Sequence, residues 1–595
     1  MTLLSRIVFA LLVVAAVGAF FVAQRLKTAP PVVQGFEISS PVFSPNGDGR
    51  LDRERVSFRL KRGETVDVAV VNEQGDAVRE LASGLALRAY SRSPVLTWDG
   101  RRDDGSVAPD GRYRIRITLR REGRSIVVRE SFLLDDTPPR VDVLSVGPRR
   151  GPGPELITRP GRQQARIRWR PGISDGRLLI FRTSPRPVRL VYERPLTGRA
   201  TKALWDGRTG SGRPASPGTY LAVVERRDGA GVAGTSTPLD QKGLPELPYG
   251  RRLDGQAGIS IQPVGVVPPL IATPAGRRVS IGVVAGGQRY RWSMGRLGAR
   301  AQKSGSAARR VVSIKPAADN SGIFLFSASL GPGRAGAPFA VDDRRSNPVL
   351  VVIPVISWQG RNPADGNGDG RPDLLEDGLS ASLHRPLVTR LPSGFASSEQ
   401  PVAAWLARTR KRYDITTDYA IARRVPPLLE GHSGVLLAGR TSWLPPAAQR
   451  RLRRYVRAGG TLVEVAPDSL QRTVTLSGSG LLSRPLPPST TDLFGSRVER
   501  RSGRFTVTNS RDSLDLFGGT EGLFRGYTQI EETVAPGRAK VLSSAVTDDG
   551  RVVVVALRVG RGTVIRFGLP ELPSRLANDP DAQGLMERSW QLMSR

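Results

Sequence analysis

Cysteine is absent from all 595 residues. The chain therefore has no disulfide, no thiolate metal site and no cysteine nucleophile, and outside a cell it would rely on its cores or on bound ions. Histidine is nearly absent as well. His384 and His432 are the only two, which leaves few candidates for a Cys-His or Ser-His relay. Aromatic residues make up 6%, while Gly (66) and Pro (47) are plentiful, a composition that suits short strands joined by turns. Lysine accounts for only eight of the 89 basic residues, the other 81 being arginine.

What is there in excess is positive charge. A formal net charge of +35 attracts polyanions. The arginines, however, alternate with apolar residues, as in Arg112-Tyr113-Arg114-Ile115-Arg116-Ile117, the pattern of a strand with one solvent face. No DNA- or RNA-binding motif is visible, and an anionic wall polymer or a protein partner remains an open alternative to generic surface charge. With 39% hydrophobic residues the body is not of disordered composition. Its length suggests about four domains.

The first feature along the chain is an apolar run of 17 residues, Ile7 to Ala23, preceded by Arg6 and followed by Arg25 and Lys27. It reads as a transmembrane helix at the short end of the range, used as an uncleaved signal anchor through residues 7–23. Val17-Gly18-Ala19 is a poor cleavage site because it lies inside the run. The flanking charges do not orient the anchor. The expected localisation, a single-pass cell-membrane protein with an extracytoplasmic body, rests on the modules that follow a stalk at Thr28 to Gln34.

Two stretches 107 residues apart then share one pattern. Trp98-Asp99-Gly100 through Pro109-Asp110-Gly111-Arg112-Tyr113 is matched by Trp205-Asp206-Gly207 through Pro217-Gly218-Thr219-Tyr220, with Trp and Tyr 15 positions apart in each. Such a period indicates two copies of one β-domain, in which these aromatics are core and corner residues. The first copy also carries Phe43-Ser44-Pro45-Asn46-Gly47-Asp48-Gly49, an Asx-rich turn or a weak Ca²⁺ loop. Together these motifs resemble the Ig-like domain of flagellar hook-capping (FlgD-type) proteins, which implies small antiparallel sandwiches acting as spacers or adhesion modules.

A Pro/Gly-rich linker at Gly243 to Pro248 leads to a third set of strands. Beyond residue 346 the pattern changes. Val349 to Val355 is apolar without alternation, as in a strand buried on both faces. Gly434 to Ala438, a helix opened by Pro445-Pro446 and ended by Gly459-Gly460, and Thr461 to Val465 form a βαβ unit. Val552 to Val559 and Thr563 to Phe567 read as a terminal hairpin. The expected fold is thus multidomain: a transmembrane helix (1–27), Ig-like sandwiches (28–137 and 138–239), a linker with a third sandwich (240–345), and an α/β domain with a mostly parallel sheet (346–595).

Gly322-Ile-Phe-Leu-Phe, Ala337-Pro-Phe-Ala-Val, Val349-Leu-Val-Val-Ile-Pro, Ser357-Trp358-Gln359, Gly439-Arg440-Thr441-Ser442-Trp443 and Arg457-Ala-Gly-Gly-Thr-Leu resemble the C-terminal part of the N,N-dimethylformamidase large (β) subunit family. The resemblance implies a fold like a class I glutamine amidotransferase, and in catalytic relatives amide hydrolysis with iron held by Tyr and Glu. The sequence departs from that pattern where the chemistry would sit. The family's Trp-Gln-Ala-Tyr-Asn is here Trp358-Gln359-Gly360-Arg361-Asn362, and its Gly-His-x-Glu-Tyr-Trp is Gly439-Arg440-Thr441-Ser442-Trp443. Where amidotransferases carry a nucleophilic Cys, Ala466 stands.

One metal motif is complete. Asp365, Asn367, Asp369, Arg371, Asp373 and Glu376 fit D-x-[DN]-x-[DN]-G-x5-E, with Gly370 at the turn and the Arg371 carbonyl at position 7. The expected cofactor is a structural calcium ion, the alternative an unoccupied acidic turn. Pro372 makes the loop unlike a paired sensor site. The resulting reading is a membrane-anchored surface protein whose terminal domain binds or supports rather than catalyses, with no catalytic residues assigned. The alternative is an extracellular amide hydrolase using other residues, for which Asp414, Asp418 and Glu464 are the candidates. A third reading, anion binding through the arginine surface, stays open.

Overall fold

Alternation of arginine with Val, Ile and Leu dictates strands over most of the chain, and strands dominate the observed architecture. The computed structural model describes residues 3–28, 32–147, 155–247, 258–299, 303–316, 321–537 and 539–595. Residues 29–31 of the expected stalk and Pro248 of the expected linker lie outside the described residues.

The chain opens on a helix, Leu3–Thr28, but among the described residues no helix is long and apolar enough to cross a membrane. This corrects both the expected transmembrane anchor at residues 7–23 and the single-pass membrane localisation built on it. A run of 17 residues bounded by Arg6, Arg25 and Lys27 makes about 26 Å of helix, against about 30 Å of hydrocarbon.

The rest divides into two compact units, Met1–Arg140 with Glu225–Thr235, and Val141–Val224 with Ser236–Arg595. In the first unit a three-stranded sheet (Val33–Ile38, Glu54–Leu60, Leu96–Trp98) and a five-stranded sheet (Val42–Phe43, Glu64–Val71, Ala77–Leu87, Gly111–Leu119, Arg124–Leu134) share one core. Along Gly111–Leu119 the odd-numbered Tyr113, Ile115 and Ile117 are buried and Arg112 and Arg114 are exposed, the period of two expected of a half-buried strand. Trp98 packs edge-on to Tyr113 at 4.9 Å. Its Nε1 donates to the Arg101 carbonyl at 2.8 Å, and the Tyr113 hydroxyl donates to the Pro109 carbonyl at 2.6 Å.

The second copy of the repeat, in the other unit, makes the same two bonds. Trp205 Nε1 donates to the Arg208 carbonyl at 2.7 Å and the Tyr220 hydroxyl to the Ser216 carbonyl at 2.6 Å. Its sheet is built on the long strands Ala165–Ser184 and Arg189–Trp205 and takes in Gly258–Ile261, which pairs antiparallel with Gly218–Leu221. A third two-sheet layer follows. Gly265–Val267, Val279–Val284 and Val311–Ile314 face a five-stranded sheet containing Tyr290–Arg296, Gly322–Leu330 and Gly333–Asp342, around Met294, Phe324, Phe326 and Phe339.

The last region is organised by nine strands, numbered here in chain order: β1 (Val349–Ile353), β2 (Asp414–Thr417), β3 (Gly434–Leu437), β4 (Thr461–Glu464), β5 (Arg497–Asp512), β6 (Leu523–Val534), β7 (Lys540–Thr547), β8 (Val552–Val559) and β9 (Gly562–Phe567). Their spatial order is β2-β1-β3-β4-β9-β8-β7-β5-β6. The expectation of a mostly parallel α/β sheet is corrected here. β2, β1, β3, β4 and β9 pair in parallel, and β9, β8, β7, β5 and β6 pair antiparallel. The central parallel strands β1 and β3 are apolar and buried throughout. The long β5 keeps a polar, largely exposed run such as Arg500 to Arg504, which an antiparallel strand with one solvent face tolerates and a central parallel strand does not. The helix Pro446–Arg457 packs Ala448, Leu452 and Val456 against the sheet and starts with a proline at its first turn.

Candidate functional site

Ligands of open α/β sheets bind beyond the carboxyl ends of the parallel strands, so these ends are where a site has to be sought. β1 runs into Pro354 and the helix Val355–Gly360, which carries Trp358 and delivers Arg361. β2 is followed at once by Asp418, β3 leads into Gly439 to Ser442, and β4 ends at Glu464.

The groups that meet there form a closed ionic network. Asp468 Oδ2 accepts from Arg361 Nη2 at 2.7 Å and from Ser442 Oγ at 3.1 Å. Its Oδ1 accepts from Arg472 Nη2 at 3.2 Å, and Arg440 Nη2 lies 3.6 Å from Oδ2. Arg361 Nε donates to Glu376 Oε1 at 2.7 Å, and its guanidinium stacks 4.8 Å from the Trp443 ring centre. Beside it, Arg566 of β9 bridges Glu464 (3.0 Å), Glu531 (2.9 Å) and Asp492 (3.6 Å). Arg500 Nη2 donates to Glu531 Oε1 at 2.8 Å, and the Asp468 amide donates to the same oxygen at 2.9 Å. Five carboxylates (Glu376, Glu464, Asp468, Asp492, Glu531) thus face five guanidinium groups (Arg361, Arg440, Arg472, Arg500, Arg566). Most of these side chains are buried, so their charges have to be matched.

Two further carboxyls stand at this edge. Asp418 accepts from the Ile356 and Tyr419 amides, stapling the helix after β1 to the end of β2, and burial pushes its carboxyl up to about 8. Glu399 opens the helix Glu399–Arg408 and accepts from the Arg440 amide at 3.2 Å. It lies so close over Gly439 that any Cβ there would collide with it. Burial pushes the Glu399 carboxyl up to about 7. The neighbouring Trp358 indole faces this carboxyl and partly offsets the effect of burial. Sequence reasoning passed over Glu399; the glycine that makes room for it, in Gly439-Arg440-Thr441-Ser442, was the only available signal.

Chemically, this edge lacks a relay. Ser442 Oγ is held by Asp468 and Arg361, with no imidazole beside it, and Ala466 is fully enclosed. The donor set does not fit the iron of catalytic relatives either. A guanidinium, which has no lone pair to give a metal, stands at position 361, and the Glu376, Glu464, Asp468 and Glu531 carboxylates beside it are already engaged by arginine. The three residues considered for an alternative hydrolase are not brought together. Asp418 and Glu464 lie at the carboxyl ends of β2 and β4, whereas Asp414 begins β2 at the opposite edge, 3.1 Å from His432 Nε2.

The calcium-like loop is folded on itself. Asp365 takes the Gly368 and Gly370 amides (2.7 and 2.8 Å), Asp373 Oδ2 the Gly366 amide (2.7 Å), Asn367 Oδ1 the Asp369 amide (3.1 Å), and Asp369 Oδ1 the Arg371 amide (2.8 Å). Burial first, then the charges of Asp369 and Asp373, hold the Asp365 carboxyl well above its ordinary range. Glu376 turns away to Arg361. Gly368 and Gly370 have φ of +79° and +87°, and a Cβ on either would meet the backbone of Gly258 and Tyr220 or of Thr183 at 2.7–2.9 Å. The loop is therefore pressed onto the strands of the second repeat.

Residues 308–484 match the family model described as N,N-dimethylformamidase beta subunit-like, C-terminal. That stretch is similar to the formamidase β subunit. It takes in β1 to β4, the calcium-like loop and both Arg361 and Asp468. No curated protein matches the chain. Among solved structures, a β-galactosidase from Bacillus circulans sp. alkalophilus aligns at 16% identity over 44% of this chain and 31% of its own, with a TM-score of 0.27. An exo-β-1,4-mannosidase from Opitutaceae bacterium strain TAV5 aligns at 15% identity over 42% and 36%, with a TM-score of 0.25. A bacterial ice-binding adhesin aligns at 11% identity over 53% and 99%, with a TM-score of 0.22. The chain spans about a third of the length of the first two, and likenesses this distant bear on neither fold nor activity.

Proposed function

We propose that the chain is a modular binding or scaffolding protein. In this reading two FlgD-type Ig-like sandwiches and a third sandwich carry a formamidase-like, amidotransferase-like domain that no longer hydrolyses amides. One observation carries the reading: Arg361, standing where the family has its tyrosine, is spent on Glu376, Asp468 and Ser442. The charges that line this crevice are matched in pairs, and no imidazole stands beside Ser442 to act as a base.

Calcium belongs to the same proposal, as a structural ion in the 365–376 loop that secures it against the second repeat. Support comes from the oxygen-rich spacing and from the carboxyls of Asp365, Asp369 and Asp373, whose mutual repulsion a cation would relieve. The match over residues 308–484 favours a second reading, an amide hydrolase related to N,N-dimethylformamidase. Incubating the purified full chain with N,N-dimethylformamide and measuring released dimethylamine decides between them. No release above a heat-denatured control is expected. Turnover that is lost in Glu399→Gln or Asp468→Asn would overturn the scaffold reading.

A further inference from the structure

The amino-terminal edge of the nine-stranded sheet, opposite the ionic network, carries a second cluster. Asp342 ends strand Gly333–Asp342, Asp343 follows it, Asp414 begins β2, and His432 precedes β3. One oxygen from each of the three aspartates lies within 4.8 Å of the other two. Oxygens bound to one ion at about 2.1 Å are at most about 4.2 Å apart, so a small contraction of the cluster would make a ligand set. A cavity of about 410 Å³ opens on it, lined by Asp342, Arg344, Ser346, Asp414, Glu430 and His432 among others.

Acidic groups alone would not make a site, and here the arrangement of each side chain adds to them. Asp342 is only 1% exposed. Its Oδ1 is fixed by the Ile415 amide at 3.0 Å, while its Oδ2 is buried with no donor among the described residues. Asp414 repeats the division. Oδ1 takes the Asn347 amide (3.1 Å) and side-chain Nδ2 (2.7 Å), which leaves Oδ2 facing His432 Nε2 at 3.1 Å. The His432 side chain is 7% exposed, and its Nδ1 also lacks a partner. Hydrogen bonds that hold one oxygen of a carboxylate and aim the other at a common point are the outer-shell support of a metal centre. A buried, unsatisfied carboxylate oxygen calls for a counter-ion. Asp342, Asp343, Asp414 and Glu430 outnumber the nearby Arg344 and Arg345, so the local charge favours a cation.

We propose that Asp342, Asp343, Asp414 and His432 bind one divalent first-row transition-metal ion at this edge. The imidazole sets the class, because carboxylates alone would suit Ca²⁺ or Mg²⁺, whereas nitrogen with carboxylates suits Mn²⁺, Fe²⁺ or Zn²⁺. The inference is independent of the reading of the carboxyl edge and of the 365–376 loop.

The test uses Mn²⁺ alone, titrated into the chelator-treated full chain and followed by electron paramagnetic resonance. One equivalent is expected to bind, to show nitrogen hyperfine coupling, and to be displaced by Zn²⁺ but not by equimolar Ca²⁺. Asp342→Asn should weaken binding at least about tenfold. His432→Gln, which keeps the size of the side chain, should weaken it and abolish the nitrogen coupling. Asp365→Asn, in the loop, should change neither. Absence of Mn²⁺ binding, coupling that persists in His432→Gln, or loss of the ion only in Asp365→Asn would each overturn the proposal.

Discussion

Arg361 Nη2 donates to Asp468 Oδ2 at 2.7 Å, joining residues 107 positions apart. Both side chains are 8% exposed, so this pair is a cross-link inside the domain rather than a surface contact. It ties the end of β1 to the turn after β4. Among the described residues Arg361 has two acidic partners, Asp468 and Glu376, but Asp468 is approached by Arg361, Arg440 and Arg472 together.

That asymmetry predicts unequal mutants. Asp468→Asn leaves three buried or half-buried guanidinium groups around a neutral amide, whereas Arg361→Met leaves Asp468 with two other arginines. Removing one member of a buried pair costs about 3–5 kcal/mol. Asp468→Asn is expected in that range and Arg361→Met clearly below it, measured by urea denaturation followed by tryptophan fluorescence. Equal losses would count against Asp468 as the hub.

Glu399 supplies a pH-dependent term. Its carboxyl is raised from 4.5 to about 7 by burial, so between those pH values the folded state keeps a proton that the unfolded state has released. Stability from this group is therefore fully present below about pH 4.5 and lost as pH rises through about 7. Glu399→Gln imitates the protonated form. The variant should match the wild type at pH 4.5 and exceed it by about 3 kcal/mol at pH 8. A constant difference across that range would mean that Glu399 does not titrate there.

Much of this edge was legible in advance. The unalternating runs Val349 to Val355 and Gly434 to Ala438 marked strands buried on both faces, and Pro445-Pro446 with Gly459-Gly460 bracketed the helix observed at Pro446–Arg457. The departure at Arg361 was also readable. What could not be read was the use made of it, because Asp468, Glu531 and Arg566 meet Arg361 and one another only through the sheet order. Of the antiparallel half, the terminal hairpin was read from Val552 to Val559 and Thr563 to Phe567 and is observed as β8 with β9, whereas the rest was hidden because β5 mixes Arg, Ser and Thr without a clear period. The N-terminal run looked like a span because composition registers before length does.

The loop at 365–376 makes a prediction that needs no metal. Gly368 has φ +79°, and a Cβ there would sit 2.9 Å from Gly258 Cα and from the Tyr220 carbonyl oxygen. Gly368→Ala therefore meets backbone on one side and a disfavoured conformation on the other, and should cost about 2–4 kcal/mol. Gly378 also has positive φ (+78°) but nothing within 4 Å of its Cβ position. Gly378→Ala should consequently cost only about 1 kcal/mol. Thermal unfolding of the two variants separates close packing from backbone strain. Indistinguishable losses would deny that the loop is clamped against the second repeat.

The repeat itself can be tested through its tyrosines. The Tyr113 hydroxyl donates to the Pro109 carbonyl and the Tyr220 hydroxyl to the Ser216 carbonyl, each at 2.6 Å and each four residues back. Phenylalanine keeps the ring against Trp98 or Trp205 and deletes only the hydrogen bond, so each Tyr→Phe change should cost about 1 kcal/mol. Because the two copies belong to different compact units, the losses should be additive in the double variant. Protease susceptibility should show Tyr113→Phe loosening the first unit and Tyr220→Phe the second. A double variant far from the sum would mean that the two copies unfold as one, which would make the repeat a single cooperative element instead of two spacers.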